Sequence, residues 1–331
     1  MLPSTQNPGG KRGIKHGNGL TNFYWRRCHE EVKHEGCGGW HVKANAENNN
    51  FSRVTKSIHQ DDFVFHQNNF TVRSYEVDAN RNASVETLMN YFQECGVSYF
   101  KSLGLQRDGF CTTPEMIKRN LVWVTTQMQI LTYRYPKWDE EVQVETWISA
   151  DGKNTTRCNW LLTDFKTNEV LATAFSSCAL MNKLTRRLSK FPEEVRREIE
   201  SYYVNNSTLF LEKDSNILPK LDDTTANYIC SDLKPAWSDI DVNLHVNNVK
   251  YIDWVLESIP RSILMKYELC YMTLKFKREC GIDTKLHSLA AISTDNSNNN
   301  NVEYNHMLLF EDGVEILRGR TQWRPKATNN L

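Results

Sequence analysis

DANRNASVETLMNYFQE (78–94) and DVNLHVNNVKYIDWVLE (241–257) decide the fold when one is laid over the other, an offset of 163 positions. Asp78, Asn80 and Asn82 then fall beneath Asp241, Asn243 and His245, and Ser84 beneath Asn247. Leu88, Tyr91 and Glu94 fall beneath Tyr251, Trp254 and Glu257. In each stretch a polar loop runs into a helix. Val85, Leu88, Met89, Phe92, Gly96, Tyr99 and Phe100 recur at steps of three and four, the apolar stripe of an amphipathic helix. Ser84 suits its N-cap, Glu86 its first turn and Gly104 its end. The ordinary purpose of such a stripe is core packing. The second helix is expected from about Asn248 to Ile259, stopped by Pro260.

Working outward, both helices sit among strands. FVFHQNNFTVRSYEV (63–77) precedes the first, and β-branched and aromatic runs follow it at 121–133, 141–149, 158–165 and 169–182. Pro136, Asp151-Gly152 and Thr167-Asn168 mark the turns between them. FPEEVRREIE (191–200) reads as a short charged helix. Past Pro219 the order returns, with YICSDLKPAW (228–237) before the second helix and runs at 268–279, 285–293, 302–310 and 314–324 after it. The Asn-rich run 298–301 reads as a hairpin loop. Strand, loop, long helix and about four strands, twice over, predict an α+β protein. Its expected form is a tandem (double) hotdog, each repeat an antiparallel sheet wrapped around a long helix. The expected division is a disordered tail at 1–60, repeats at 61–200 and 228–325, a linker at 201–227 and a tail at 326–331.

Bulk properties narrow the function. The 331 residues are 40% hydrophobic and 24% charged with a net charge of zero, which is globular composition. That balance favours neither nucleic acid nor an anionic membrane as partner, and no apolar run reaches the ~20 residues of a span. The nine cysteines include no CxxC pair or zinc spacing, so reduced thiols are expected, with no metal and no cofactor. The first 28 residues hold Lys and Arg but no Asp or Glu. They read slightly better as a disordered leader than as a targeting segment.

Asp241, Asn243 and His245 are spaced by two, so an extended chain would send all three side chains from one face. A carboxylate, an amide and an imidazole beside a helix N-terminus can supply base, orienter and oxyanion donor. The same residues can equally be turn and capping groups, and by composition alone that is the plainer reading. Glu279 and Cys280 end the strand-like MTLKFKREC, where neighbours face opposite ways unless the strand bends, as Gly281 would allow. A lone Cys280 is more often a small buried apolar residue than a nucleophile.

WSDIDVNLHVNNVKYIDWVLES (237–258), REC (278–280), TPEM (113–116), RYPKW (134–138), SADGKN (149–154) and MNKLTRRLSKFPEEVR (181–196) together resemble the plant acyl-[acyl carrier protein] thioesterases. SADGKN and NKLTRRLSK are closer to the class that prefers saturated chains. The resemblance implies a tandem hotdog that hydrolyses acyl-carrier-protein thioesters and releases fatty acid in plastids. It maps the catalytic pattern onto Asp241, Asn243, His245, Glu279 and Cys280. One implied mechanism makes Cys280 the nucleophile, with His245 as base and Asn243 as orienter. The other has Glu279 or His245 activate water while Asn243 and helix N–H groups hold the oxyanion and Asp241 orients its neighbours. Water is preferred, because the carboxylate of Glu279 disfavours a thiolate beside it.

By the same resemblance the acyl groove lies in the first repeat, with Leu88, Met89, Phe92, Trp123 and Met128 as lining candidates. Each buried methylene contributes ~0.8 kcal/mol, so a closed groove can sort chain lengths. The carrier protein is acidic, and Lys183, Arg186, Arg187 and Lys190 form the densest cationic cluster to meet it, with Lys153 and Arg157 as further cations expected beside it in the fold. A homodimer is left open. The chain departs from the family at Cys158-Asn159-Trp160, at Cys178 and at Asp253, and lacks the usual hydrophobic stretch before the first strand. Alternatives are a hotdog acyl-CoA thioesterase or dehydratase and a non-catalytic acyl-binding protein. A papain-like protease shares the Cys, His and Asn but not the local cysteine signature.

Overall fold

Strand runs separated by turn residues give ten strands among the described residues, and they pair into a single sheet. The computed structural model describes residues 65–106, 111–204, 211, 217–293 and 301–326. The expected leader at 1–60, most of the Asn-rich run and most of the C-terminal tail lie outside the described residues, as does part of the expected linker. The first repeat comprises β1 (His66–Thr71), α1 (Val85–Ser102), α2 (Pro114–Lys118), β2 (Leu121–Thr132), β3 (Glu141–Ala150), β4 (Thr155–Asp164), β5 (Val170–Asn182) and α3 (Glu193–Ile199). The second comprises β6 (Tyr228–Leu233), α4 (Tyr251–Glu257), α5 (Arg261–Lys266), β7 (Tyr267–Phe276), β8 (Leu286–Ile292), β9 (Val302–Phe310) and β10 (Glu315–Pro325).

The sheet order is β1-β3-β4-β5-β2-β7-β10-β9-β8-β6, antiparallel throughout. Read inward from either edge the two halves have the same strand order, which is the duplication expressed as topology. They meet where β2 pairs with β7, from Gln127↔Lys275 to Leu131↔Tyr271. The tandem hotdog expected from the duplication is formed with the two repeats' sheets joined edge to edge. One continuous sheet forms because fusing β2 to β7 removes two open edges whose backbone groups would otherwise need water or a partner.

The core follows from that fusion. Leu88, Met89 and Phe92 of α1, Met128 and Ile130 of β2, Met272 and Leu274 of β7, Ile252 and Val255 of α4 and Leu308 of β9 are buried in one cluster. Gly319 on β10 has a steric duty here. A Cβ at that position would lie 2.4 Å from Cδ2 of Leu274 and 3.0 Å from the Thr273 carbonyl.

Local chemistry sets the ends of the elements. Oγ of Ser84 accepts the Thr87 N–H at 3.0 Å, and Gly104 leaves α1 with φ +70°. The second helix is shorter than expected: a 3₁₀ turn (Asn248–Lys250) feeds α4, which ends at Glu257 before Pro260, and Pro260 in turn N-caps a further helix, α5. Proline tolerates that role because the first N–H groups of a helix lack partners anyway. β1 stops at Thr71, where Glu76 turns the chain by accepting the Arg73 N–H at 2.8 Å. β7 stops at Phe276, because the N–H groups of Lys277 and Arg278 both go to the Ile316 carbonyl, at 2.8 and 3.1 Å. That doubling takes Glu279 and Cys280 out of the strand.

Candidate active site

The loop before each repeat's helix is one structure made twice. In the first repeat Val77 bridges Ala83, and the Asp78 N–H donates to the Asn82 carbonyl at 2.8 Å. Oδ1 of Asp78 accepts the N–H groups of Asn80 and Asn82 at 2.8 and 3.0 Å. In the second repeat Ile240 bridges Val246, and the Asp241 N–H donates to the His245 carbonyl at 2.8 Å. Oδ1 of Asp241 accepts the N–H groups of Asn243 and His245 at 2.8 and 3.4 Å. Arg81 and Leu244, equivalent at the same offset, both take left-handed φ, +64° and +62°. The segment is therefore a closed turn and not extended chain. It still half-buries Asp241, Asn243 and His245 while Val242 and Leu244 point to solvent. One oxygen of Asp241 is committed to the turn, so its first task is to shape it.

His245 is fixed by the same turn. Its Nδ1 lies 2.8 Å from the Asn243 carbonyl, which can only accept, so in the neutral ring Nδ1 carries the proton and the lone pair is on Nε2. Nδ1 also lies 3.3 Å from a terminal guanidinium nitrogen of Arg186. Two donors cannot bond, so this is a contact, and the shorter carbonyl bond sets the tautomer. Nε2 faces Oε1 of Glu279 at 3.5 Å. Arg186 grips that carboxylate through both forks, with Nε to Oε1 at 2.6 Å and the terminal nitrogen bonded to Oε2. A basic nitrogen and a carboxylate oxygen at this spacing can share one water lying beside the line that joins them, which is what activating a water requires.

Cys280 faces the other way. It is fully buried, its N–H donates to Oη of Tyr251 at 2.9 Å, and its carbonyl accepts the Val246 N–H at 3.0 Å. Burial, with the nearby Glu279 adding to it, pushes its thiol up to about 11 despite the opposing Tyr251 hydroxyl. Strand alternation is thus kept even though the strand itself has ended.

Residues 64–199 match the family model of the acyl-ACP thioesterase N-terminal domain, and residues 222–325 match that of the C-terminal domain. The chain belongs to the acyl-ACP thioesterase family. A palmitoyl-acyl carrier protein thioesterase, chloroplastic, of Gossypium hirsutum is 54% identical over 273 residues, 81% of this chain and 66% of that protein. A dodecanoyl-[acyl-carrier-protein] hydrolase, chloroplastic, of Cinnamomum camphora is 44% identical over 264 residues, 79% of this chain and 68% of its own length. The chain thus spans about two thirds of the length of these curated relatives. Among solved structures the 12:0-ACP thioesterase of Umbellularia californica superposes with a TM-score of 0.74 at 44% identity, over 79% of this chain and 94% of that one. An acyl-ACP thioesterase of Bacteroides thetaiotaomicron, 20% identical, shares the fold with a TM-score of 0.62 over 78% and 97% of the two chains. The fold is the tandem hotdog.

Within this family member the remaining candidates divide. Leu88, Met89, Phe92 and Met128 are buried in the shared core, and Sδ of Met128 meets Nδ2 of Asn248 at 3.5 Å, just past the turn that holds Asp241, Asn243 and His245. Trp123 belongs to a second cluster beside Phe191, and its indole N–H donates to the Cys111 carbonyl at 3.0 Å. Lys183, Arg187, Lys190 and Lys153 are exposed. Arg186 is drawn into the site, and Arg157 is buried against the Phe175 ring, its carbon 3.6 Å from the centroid. The Arg186–Glu279 pair and Tyr251 escaped the sequence reading, since nothing in a basic run says which cation turns inward. Among the described residues no group of three or more His, Cys, Asp or Glu could hold a metal, and no helix is long and apolar enough to cross a membrane.

The departures from the family pattern also find places. Cys158 packs under α1, where a Cβ on Gly96 would meet its Sγ at 3.6 Å. Asp253 lies beside Lys250, whose ammonium bonds Glu86 of α1 and approaches Asp253 at 3.7 Å. Desolvation, reinforced by Glu86 and Asp239 and opposed by Lys250, pushes Asp253 up to about 6. A carboxyl raised on folding favours the fold when protonated, and that contribution fades as pH rises from the unfolded value of 3.8 to about 6. Asp253→Asn is therefore expected to raise the melting temperature at pH 7.5 and to lose that advantage near pH 4. An equal difference at both pH values would show that the ionisation of Asp253 plays no part.

Proposed function

We propose that the chain hydrolyses long-chain fatty acyl thioesters of acyl carrier protein in plastids, releasing free fatty acid and so ending chain growth. The observation that carries this reading is the convergence of His245 Nε2 and Glu279 Oε1, 3.5 Å apart, beside the turn that holds Asn243. Family membership and the names of the relatives, palmitoyl- and dodecanoyl-carrier-protein hydrolases described as chloroplastic, support the substrate class and the compartment.

Water is the nucleophile in this reading. It gives its proton to Nε2 of His245 or to Glu279 as its oxygen attacks the thioester carbonyl. The oxyanion is held by the Asn243 amide, and collapse expels the carrier's thiolate, which takes the proton back. Asp241 keeps the turn closed. The acyl chain runs against Leu88, Met89, Phe92 and Met128, with Trp123 farther along. The burial of Cys280, and a thiol pushed up to about 11, support a structural role for it.

The test is turnover across acyl lengths by the wild type, Glu279→Ala and Cys280→Ala. Glu279→Ala is expected to lose at least about 100-fold in kcat. Cys280→Ala should stay within about tenfold, with no acyl-enzyme detectable. Full loss in Cys280→Ala together with a trapped acyl-enzyme in the wild type would make the thiol the nucleophile. Docking of the carrier protein is assigned to Lys183, Arg187 and Lys190. Accordingly kcat/KM on the carrier-protein substrate should fall steeply with salt while that on a small thioester does not. Parallel slopes for the two substrates would remove the docking assignment.

A further inference from the structure

The basic run 183–190 holds four cations, and the structure separates one from the rest. Asn182 starts a tight turn after β5, its Oδ1 accepting the N–H groups of Leu184 and Thr185 at 3.1 and 2.9 Å. The Arg186 N–H donates to the Asn182 carbonyl and the Asn182 N–H to the Arg187 carbonyl, both at 2.9 Å. Met181 bridges Leu188 to close the turn. Arg186 ends its loop with φ +54°, a left-handed conformation that costs a non-glycine residue ~1 kcal/mol. The turn thereby aims one long side chain across the repeat boundary at Glu279, while Lys183, Arg187 and Lys190 stay in solvent.

We infer that Arg186 is a positioning residue for hydrolysis, supplied by the first repeat to a site otherwise built by the second, and that it orients Glu279 rather than meeting the carrier protein. The inference rests on the hydrolase reading above. Its geometry is a planar fork on a carboxylate: Nε on Oε1 at 2.6 Å and the terminal nitrogen on Oε2 hold both oxygens in one plane. With that plane fixed, Oε1 faces Nε2 of His245 at 3.5 Å. Glu279 follows the last residue of β7 by three positions and belongs to no regular element, so without the fork its side chain would be free to turn to water. A lysine ammonium can bond the carboxylate at one point but cannot set its plane.

Steady-state kinetics of Arg186→Gln and Arg186→Lys, on acyl-carrier-protein and on a short acyl-N-acetylcysteamine thioester, test this. Arg186→Gln is expected to lower kcat about 10- to 100-fold on both substrates with little change in KM, since misplacing a reacting group by about 1 Å costs on that order. Arg186→Lys should recover part of the loss, and both variants should melt within a few degrees of the wild type. A rise in KM confined to the carrier-protein substrate would reduce Arg186 to a docking residue and overturn the inference. So would a loss accompanied by a large fall in melting temperature and no recovery in the lysine variant, which would mark a purely structural role. Wild-type protein that turns over neither thioester defeats the hydrolase reading first; normal wild-type turnover with an unaffected Arg186→Gln defeats this inference alone.

Discussion

Exchanging His245 for asparagine is expected to lower kcat about a thousandfold on carrier-protein and small thioesters alike, with the melting temperature nearly unchanged. The control is already present in the chain. Asn82 occupies the equivalent position in the first-repeat turn, where its N–H is held by Asp78 at 3.0 Å and its carbonyl accepts the Asp78 N–H at 2.8 Å. At position 82 those bonds engage only the residue's own N–H and carbonyl, so asparagine can replace histidine without opening the turn. What disappears is an imidazole whose Nδ1 proton is tied to the Asn243 carbonyl at 2.8 Å and whose Nε2 faces Glu279. Removing a general base of this kind typically costs 10²- to 10⁴-fold. A His245→Asn protein that melts normally and still turns over at more than about a tenth of the wild-type rate would place the chemistry elsewhere.

Leu274→Ala is expected to cost about 3 kcal/mol and to lower the melting temperature by roughly 6–12 °C. Leu274 is fully buried at the junction of the repeats, pairing with Met128 on β2 and Gly319 on β10. Truncation leaves a cavity walled by both halves, so calorimetry should show one shifted transition and not one half melting ahead of the other. Gly319→Ala should destabilise by ~1–3 kcal/mol, because its Cβ would lie 2.4 Å from Cδ2 of Leu274. Combining the two should cost less than their sum, since the new methyl occupies space that the leucine vacated. Additive losses, or two separate transitions, would contradict a core shared across the β2–β7 seam.

Much of the fold can be read from the chain because its signals are local. Ser84, the apolar stripe of α1 and Gly104 bound a helix by capping, burial and a left-handed turn, each a matter of a few residues. The duplication is equally visible, since aligned Asx residues at 78 and 241 build the same hydrogen-bonded turn in both repeats. Pro260 does lie beyond the end of α4 as expected, but the same proline also starts α5, which its local signal does not distinguish. Fusion of two sheets into one depended on long-range pairing of β2 with β7, which no window of sequence contains.

At the site the division is similar. Residue types and spacing in Asp241, Asn243 and His245 determined a polar turn at a helix entrance, and alternation already separated Glu279 from Cys280. Only the tertiary structure decided that Glu279 faces His245, that Cys280 is sealed against Tyr251, and that Arg186 turns inward from an otherwise solvated basic run. Turn geometry and side-chain alternation act over a few residues and are written in the chain. A meeting of side chains 93 positions apart, as between Arg186 and Glu279, depends on how the strands pair, and that is settled by the whole core at once.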